Sequence, residues 1–524
     1  MDFQFNQWWH ILLALTPVLL LIVLMGFLKL SGDKSAVITL ITSTLIAIIA
    51  FKYPLADSGL AIAYGILSAI FPILIIIIMA LFSYNVLVHT GKMEVIKSQF
   101  TGISSDKCLQ VLLLTWGFGG LLEGMAGFGT AVAIPAAILI SLGFKPIFSA
   151  TVSLIANSVA TGFGAVGTPV KVLSDLTGIS QLESGSQILS SQVILQLSPL
   201  MFLIPFVLLF LTDPRIKALP KHILIAAIVG GVSLVTQYAT AYYMGFETPA
   251  IMGSIASIIV IILYAKMTAT AEDRELKAKA PHYTMNQSLQ AWSVYGLILI
   301  LVILTSPLFP IKAILAQVNT PITLNIWDAM QGKEIARTIN PTWLVNAGTL
   351  LFLGSFIGGL IQGAKPGELL NVLWGVLKKQ DKTIITVCSL IAFSSVMNFS
   401  GMTFTIGATL AAVTGAFYPL FAPAIGCLGT FLTGSDTSSN ILFGKLQADV
   451  AGQIGADPSW LAASNTAGAT GGKIISPQSI AIATSACNLQ GREGEILKKA
   501  LPYALAYIAI AGLMVYFFAP AVVA

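Results

Sequence analysis

The 524-residue chain reads as an all-α polytopic membrane protein, and three observations carry that reading. First, 56% of residues are hydrophobic and only 9% are charged, whereas a soluble domain is roughly 25% charged. Second, runs such as Ile11–Leu30, Ile66–Val88 and Val294–Pro310 reach or approach the roughly 18 to 20 apolar residues that cross a bilayer as a helix. They are continuously apolar, which excludes the alternation of a transmembrane β-barrel. Third, clusters of Gly, Ser, Thr and Pro interrupt the apolar pattern at a few places. Together these predict about 12 to 16 transmembrane or half-membrane helices with broken helices or re-entrant hairpins. They fall into two related halves, 1–267 and 291–524, joined by a polar cytoplasmic linker at 268–290. All belong to one transmembrane domain.

Taken in order, the candidate spans lie near 8–28, 36–53, 59–88, 108–122, 126–142, 146–160, 188–211, 223–243, 249–266, 291–309, 341–362, 383–398, 402–416, 420–433, 459–486 and 500–520. Trp8 and Trp9 suit an interfacial anchor for the first. The longer polar connections are 89–107, 171–187, 267–290, 311–340, 363–382 and 487–499. Lys29, Lys34, Lys92, Lys97, Lys107, Arg215, Lys217, Lys221, Lys266, Arg274, Lys277, Lys279, Lys365, Lys378, Lys379, Lys382, Arg492, Lys498 and Lys499 fall in alternate connections, which places those in the cytoplasm. Both termini and the 311–340 loop then lie outside. The net charge of +5 is accounted for by this topology, with no basic patch for nucleic acid. Cys108, Cys388, Cys427 and Cys487 have no metal-ligand spacing and read as small buried hydrophobes with free thiols. His89 and His222 read as solvated loop-edge residues.

The interruptions are Leu121–Pro135 (LLEGMAGFGTAVAIP), Ile155–Val170, Gly429–Gly444 and Ala463–Ser479. Glycine and proline break a helix and leave backbone N–H and C=O groups without partners. At membrane depth such groups are tolerated only where protein buries them or a wet cavity receives them. Half-helix N-termini carry partial positive charge, so they suit an anion. The glycines expected to open the backbone are Gly124, Gly127, Gly129 and Gly434. The competing reading is that glycine and serine allow close helix packing. It explains single glycines but not a run as polar as GSDTSSN. Asn157 to Pro169 and Asn465 to Pro477 share spacing, and so do Lys145–Ser149 and Tyr418–Ala422. The two matches imply different repeat registers.

Ionisable residues inside spans are functional candidates. Glu123 and Asp436 each sit in a glycine-rich break, where a carboxylate can take up a proton reversibly. Against this, Glu123 could be a salt-bridged or capping carboxylate, and Asp436 a helix N-cap. Lys473 could bind a substrate carboxylate or pair with either acid. Enzyme readings lack their parts. There is no nucleophile with a histidine in reach, no facing histidine pair inside spans, and no GxxxxGK[ST] loop for ATP.

The strings Leu121–Phe144, Gly164–Val170, Thr433–Gln447 and Ser464–Ala483, with the length and apolar profile, resemble the bacterial lactate permease family. The resemblance covers nearly the whole chain. It implies a secondary carrier of the bacterial cytoplasmic membrane that imports L-lactate, and often D-lactate and glycolate, with protons. It implies two inverted repeats with re-entrant hairpins, no cofactor or resident metal, and, as in some related carriers, a homodimer. In related dicarboxylate carriers a Ser-Asn-Thr triplet contacts substrate. It is matched here by Ser464, Asn465 and Thr466, while the first half departs from it with Ala156 before Asn157 and Ser158. The substrate-facing set expected is Asn157, Ser158, Thr168, Ser435, Thr437, Ser438, Asn440, Ser464, Asn465, Thr466 and Lys473, with Glu123 as proton site and Asp436 as its alternate. A symporter of another small organic anion, or an anion-selective channel, would use the same lining.

Overall fold

The computed structural model describes residues 8–24, 28, 30–127, 129–273, 281–489 and 492–519. Lys29, Arg274, Lys277 and Lys279 lie outside the described residues. Ten of the described helices are long and apolar enough to cross a membrane, or eleven if the pair Pro146–Thr161 and Gly164–Thr177, bent by 48°, makes one span. Thr130–Ser141 has 12 residues and Pro477–Ala486 has 10. At 1.5 Å per residue neither crosses a core of about 30 Å. The broken helices predicted from composition are therefore present.

Breaks recur at a constant spacing. Gly91 and Gly363, Gly129 and Gly401, Gly143 and Gly415, and Gly162 and Gly434 are each 272 residues apart. The first three pairs all adopt left-handed backbone. Helices Pro146–Thr161 and Tyr418–Thr433 begin and end at the same spacing, as do the starts of Gly164–Thr177 and Asp436–Ile454. This spacing is one residue short of the 273 at which Lys145–Ser149 matches Tyr418–Ala422, and far from the 308 of the other match. The match of Asn157–Pro169 with Asn465–Pro477 is not the structural repeat. Asn157 lies near the end of its helix, whereas Asn465 lies at the middle of Pro458–Lys473.

Outside the breaks the packing is helix on helix. Gly185–Thr212 lies against Leu219–Met244, which lies against Pro249–Met267; Met285–Leu304 lies against Ala347–Ile361, which covers Ile75–His89. Asp381–Phe399 packs on Gly32–Ile49 and Leu55–Ser68. At the breaks the two halves also meet where Gly164–Thr177 crosses Asp436–Ile454 and where Thr130–Ser141 lies beside Pro477–Ala486.

Three departures from the sequence reading have local causes. The single span expected at 459–486 is two helices, because Ser476 caps the second through its hydroxyl and Pro477 opens it. The 311–340 connection holds an antiparallel pair of strands, Ile322–Asp328 and Lys333–Ile339. Its inner face is fixed by the Tyr53 hydroxyl donating to the Trp327 carbonyl at 2.7 Å and by Ala329 N–H donating to the Phe399 carbonyl at 2.9 Å. The polar connections 89–107 and 363–382 contain short helices, Lys92–Thr101 and Pro366–Lys379. At the linker, Asp273 accepts from the backbone N–H of Ser105 at 2.6 Å and of Thr270 at 2.7 Å. Those donors hold its carboxyl well below the usual range.

Candidate substrate cavity

A cavity of about 720 Å³ lies where the breaks of both halves converge. Glu123, Gly127 and Gly129 line it from the first break; Thr161, Gly164, Ala165, Thr168 and Pro169 from the second; Gly434 to Ser438 from the third; and Lys473, Pro477 and Gln478 from the fourth. It extends to Ser31, Gly32 and Asp33 and to Lys382, Thr383 and Thr386, at the starts of two spans.

The first break follows from its sequence. Helix Gly120–Met125 ends at Ala126, and Gly129 is the left-handed N-cap of Thr130–Ser141 with φ 85°. That conformation is open to glycine at little cost. Glu123 sits in the last turn before the break and is 4% exposed. Its Oε2 has no hydrogen-bond partner. The Asn157 amide lies beside it. A side chain at Gly164 would come within 2.6 Å of Glu123 Oε1, so the backbone of the second break is packed directly on the acid. Gly124 belongs to packing instead: a Cβ there would meet Ile251 Cγ1 at 2.9 Å.

The second break holds the clearest backbone strain. Ala165, Val166 and Gly167 have φ of 44°, 55° and 74°. Non-glycine residues in this region cost about 1–3 kcal/mol each, and such strain clusters at functional sites. Thr168 lines the cavity, with its hydroxyl turned back to the Ala165 carbonyl at 2.6 Å.

In the third break Gly434 is left-handed, and Ser435 caps helix Asp436–Ile454 by accepting from Ser438 N–H at 3.2 Å. Asp436 is therefore a first-turn acid rather than the N-cap. It is 4% exposed, accepts from the Thr430 hydroxyl at 3.2 Å through Oδ1, and leaves Oδ2 without a partner. Lys473 ends helix Pro458–Lys473 and donates to the Gly434 carbonyl at 2.7 Å. Among the described residues it makes no ion pair within 4 Å of either acid, though both acids lie within its electrostatic reach. At the breaks the cavity is thus bordered by the N-terminal ends of Thr130–Ser141, Asp436–Ile454 and Pro477–Ala486, one ammonium and two carboxylates, with Asp33 and Lys382 at its far end.

The other expected substrate residues are placed differently. Asn440, Ser464, Asn465 and Thr466 are fully buried and lie away from the cavity lining. Asn440 donates to the Pro169 carbonyl at 3.0 Å and to Thr466 at 2.9 Å, and accepts from Asn465 at 2.9 Å. The Ser464 hydroxyl donates to the Leu461 carbonyl at 2.6 Å, and Ser158 does the same to Ile155 at 2.7 Å. Of these bonds, the one from Asn440 to Pro169 joins the two halves. Glycine in the fourth run is also a packing device: a Cβ at Gly468 would lie 1.7 Å from the Pro423 carbonyl oxygen. Sequence reasoning did not single out Thr161 and Thr430 beside Asp436, or Gln478 on the cavity wall. Thr430 falls inside a quoted run, but nothing local distinguishes it from its neighbours.

The sequence profile of the family described as L-lactate permease matches residues 10–522. An L-lactate permease of Streptococcus iniae is 41% identical over 86% of this chain and 93% of its own length. The glycolate permease GlcA of Escherichia coli K12 is 35% identical over 96% of this chain and 94% of its own. An L-lactate permease of the same strain is 32% identical, covering 97% and 96%.

Proposed function

The chain belongs to the L-lactate permease family, and on that premise we propose that it imports lactate and glycolate by proton symport across the bacterial cytoplasmic membrane. Members of the family are permeases, so the chain is a carrier and not an enzyme. The observation that supports this most is the shared cavity: its break-lined part holds Glu123, Asp436, Lys473 and three helix N-termini, and its far end Asp33 and Lys382.

The chemistry follows from that set. A 2-hydroxy monocarboxylate brings one negative charge and one hydroxyl. The carboxylate is received by helix N-termini and by Lys473, whose ammonium exchanges its Gly434 carbonyl for the substrate. Ser435, Thr437 and Ser438 are within the lining and can bond the hydroxyl. Charge then sets the coupling. At the breaks Lys473 balances one of the two acids, Asp33 and Lys382 at the far end offset each other, and an incoming anion adds one more negative charge. A proton on Glu123, which has an unpartnered oxygen at the cavity, offsets it, so that one proton and one anion travel together. Asp436 is the alternate site.

The cavity reaches the start of helix Gly32–Ile49, beside Lys34, and that of Asp381–Phe399, beside Lys378, Lys379 and Lys382. The positive-inside rule puts those ends in the cytoplasm, so this conformation faces inward. Alternating access is a displacement of the broken-helix region against the flanking spans. Proteoliposomes with acid outside should accumulate labelled lactate above the external concentration and above protein-free vesicles. Uptake that only equilibrates, and ignores the gradient, would establish the channel reading instead.

A further inference from the structure

Away from the cavity, three groups distant in sequence come together at the predicted cytoplasmic edge. Cys108 begins helix Lys107–Met125, Asp213 follows helix Gly185–Thr212, and His222 lies in the first turn of Leu219–Met244. One ligand atom from each lies within 4.8 Å of the others. Cys108 and His222 are buried, which corrects the expectation of a solvated His222. We propose that Cys108, Asp213 and His222 form a binding site for a zinc-class divalent cation that ties the start of the Glu123-bearing helix to the connection between its two neighbours.

Geometry supports it. Cys108 Sγ and His222 Nε2 are 3.8 Å apart. With Zn–S of about 2.3 Å and Zn–N of about 2.0–2.1 Å, two ligands at a tetrahedral angle stand roughly this far from each other. Charge supports it too. Binding releases the thiol proton to water, and a thiolate with a carboxylate then neutralises a divalent cation, leaving no net charge at a half-buried place. The mixed sulfur, nitrogen and oxygen set selects zinc over calcium or magnesium, and three protein ligands leave one position for water. Asp213 is held by Arg215 at 2.7 Å, but the Arg215 side chain is 80% exposed and free to swing aside. Asp106 and Lys221 pair at 2.6 Å beside the site and keep the two helix starts together.

The competing reading is a plain thiol–imidazole contact. Purified full-length protein, stripped with chelator, should bind one equivalent of Co²⁺ with a thiolate-to-cobalt absorption band. It should melt at a higher temperature with Zn²⁺. Cys108→Ser should abolish the band and the shift, while Cys388→Ser retains both. Asp213→Asn, on the more exposed ligand, should weaken binding about tenfold while lactate uptake without metal persists. It guards against misfolding in a His222→Ala variant. Absence of a saturable band in the wild type, or a band that survives Cys108→Ser, overturns the site.

Discussion

Lys473 and Asn465 lie on the same helix and were equal candidates for substrate contact, yet their polar atoms have different surroundings. Lys473 reaches the cavity and donates a hydrogen bond to one backbone carbonyl. Asn465 is tied into a buried amide network with Asn440 and Gln447. Lys473→Ala should raise the apparent KM for lactate roughly 10- to 100-fold, the loss of a charge-assisted bond of about 1.5–3 kcal/mol. Asn465→Ala should leave KM unchanged in the protein that folds and lower thermal stability, since unsatisfied buried partners cost about 1–3 kcal/mol. Uptake kinetics and melting curves on the two variants check both. Glu123 was legible in the sequence because its signal is local: an acid, glycines and a proline within one apolar run. The Asn440–Asn465 pairing was not, because an amide looks the same whether it faces substrate or another amide. Only the crossing of two helices decides which.

Among the elements, the breaks were legible and the purpose of each glycine was not. Gly434 is left-handed, and a side chain there would overlap Gln478 Oε1 at 2.0 Å, so it shapes the break. Gly468 is helical and serves contact between Tyr418–Thr433 and Pro458–Lys473. Gly468→Ala should therefore collapse the yield of folded carrier, while Gly452→Ala, a helical position with nothing within 4 Å, should be neutral or slightly stabilising. Size-exclusion profiles of the two variants test this. Composition located GATGG correctly but not the backbone distance that makes it obligatory. The strand pair was missed for another reason. Its alternation, ITLNIWD, is short, and the loop around it carries mixed charge, with Pro321 directly before the first strand.

For the molecule as a whole, repeat and orientation bear on one another. The 272-residue spacing of breaks brings corresponding parts of both halves to one cavity. Two competing registers left this open in the sequence, and the helix boundaries fall within one residue of the Lys145–Tyr418 one. The cavity opens toward Thr383 and Ser31. In a cysteine-free background, Thr383→Cys should react with a membrane-impermeant thiol reagent in inside-out vesicles and resist it in right-side-out vesicles. The reverse pattern would mean that the chain is oriented the other way. That Glu123 couples the proton to the anion is tested most directly by Glu123→Gln in proteoliposomes. Lactate counterflow should persist while accumulation driven by a pH gradient is lost. Wild-type accumulation in that variant would exclude Glu123 as the coupling site.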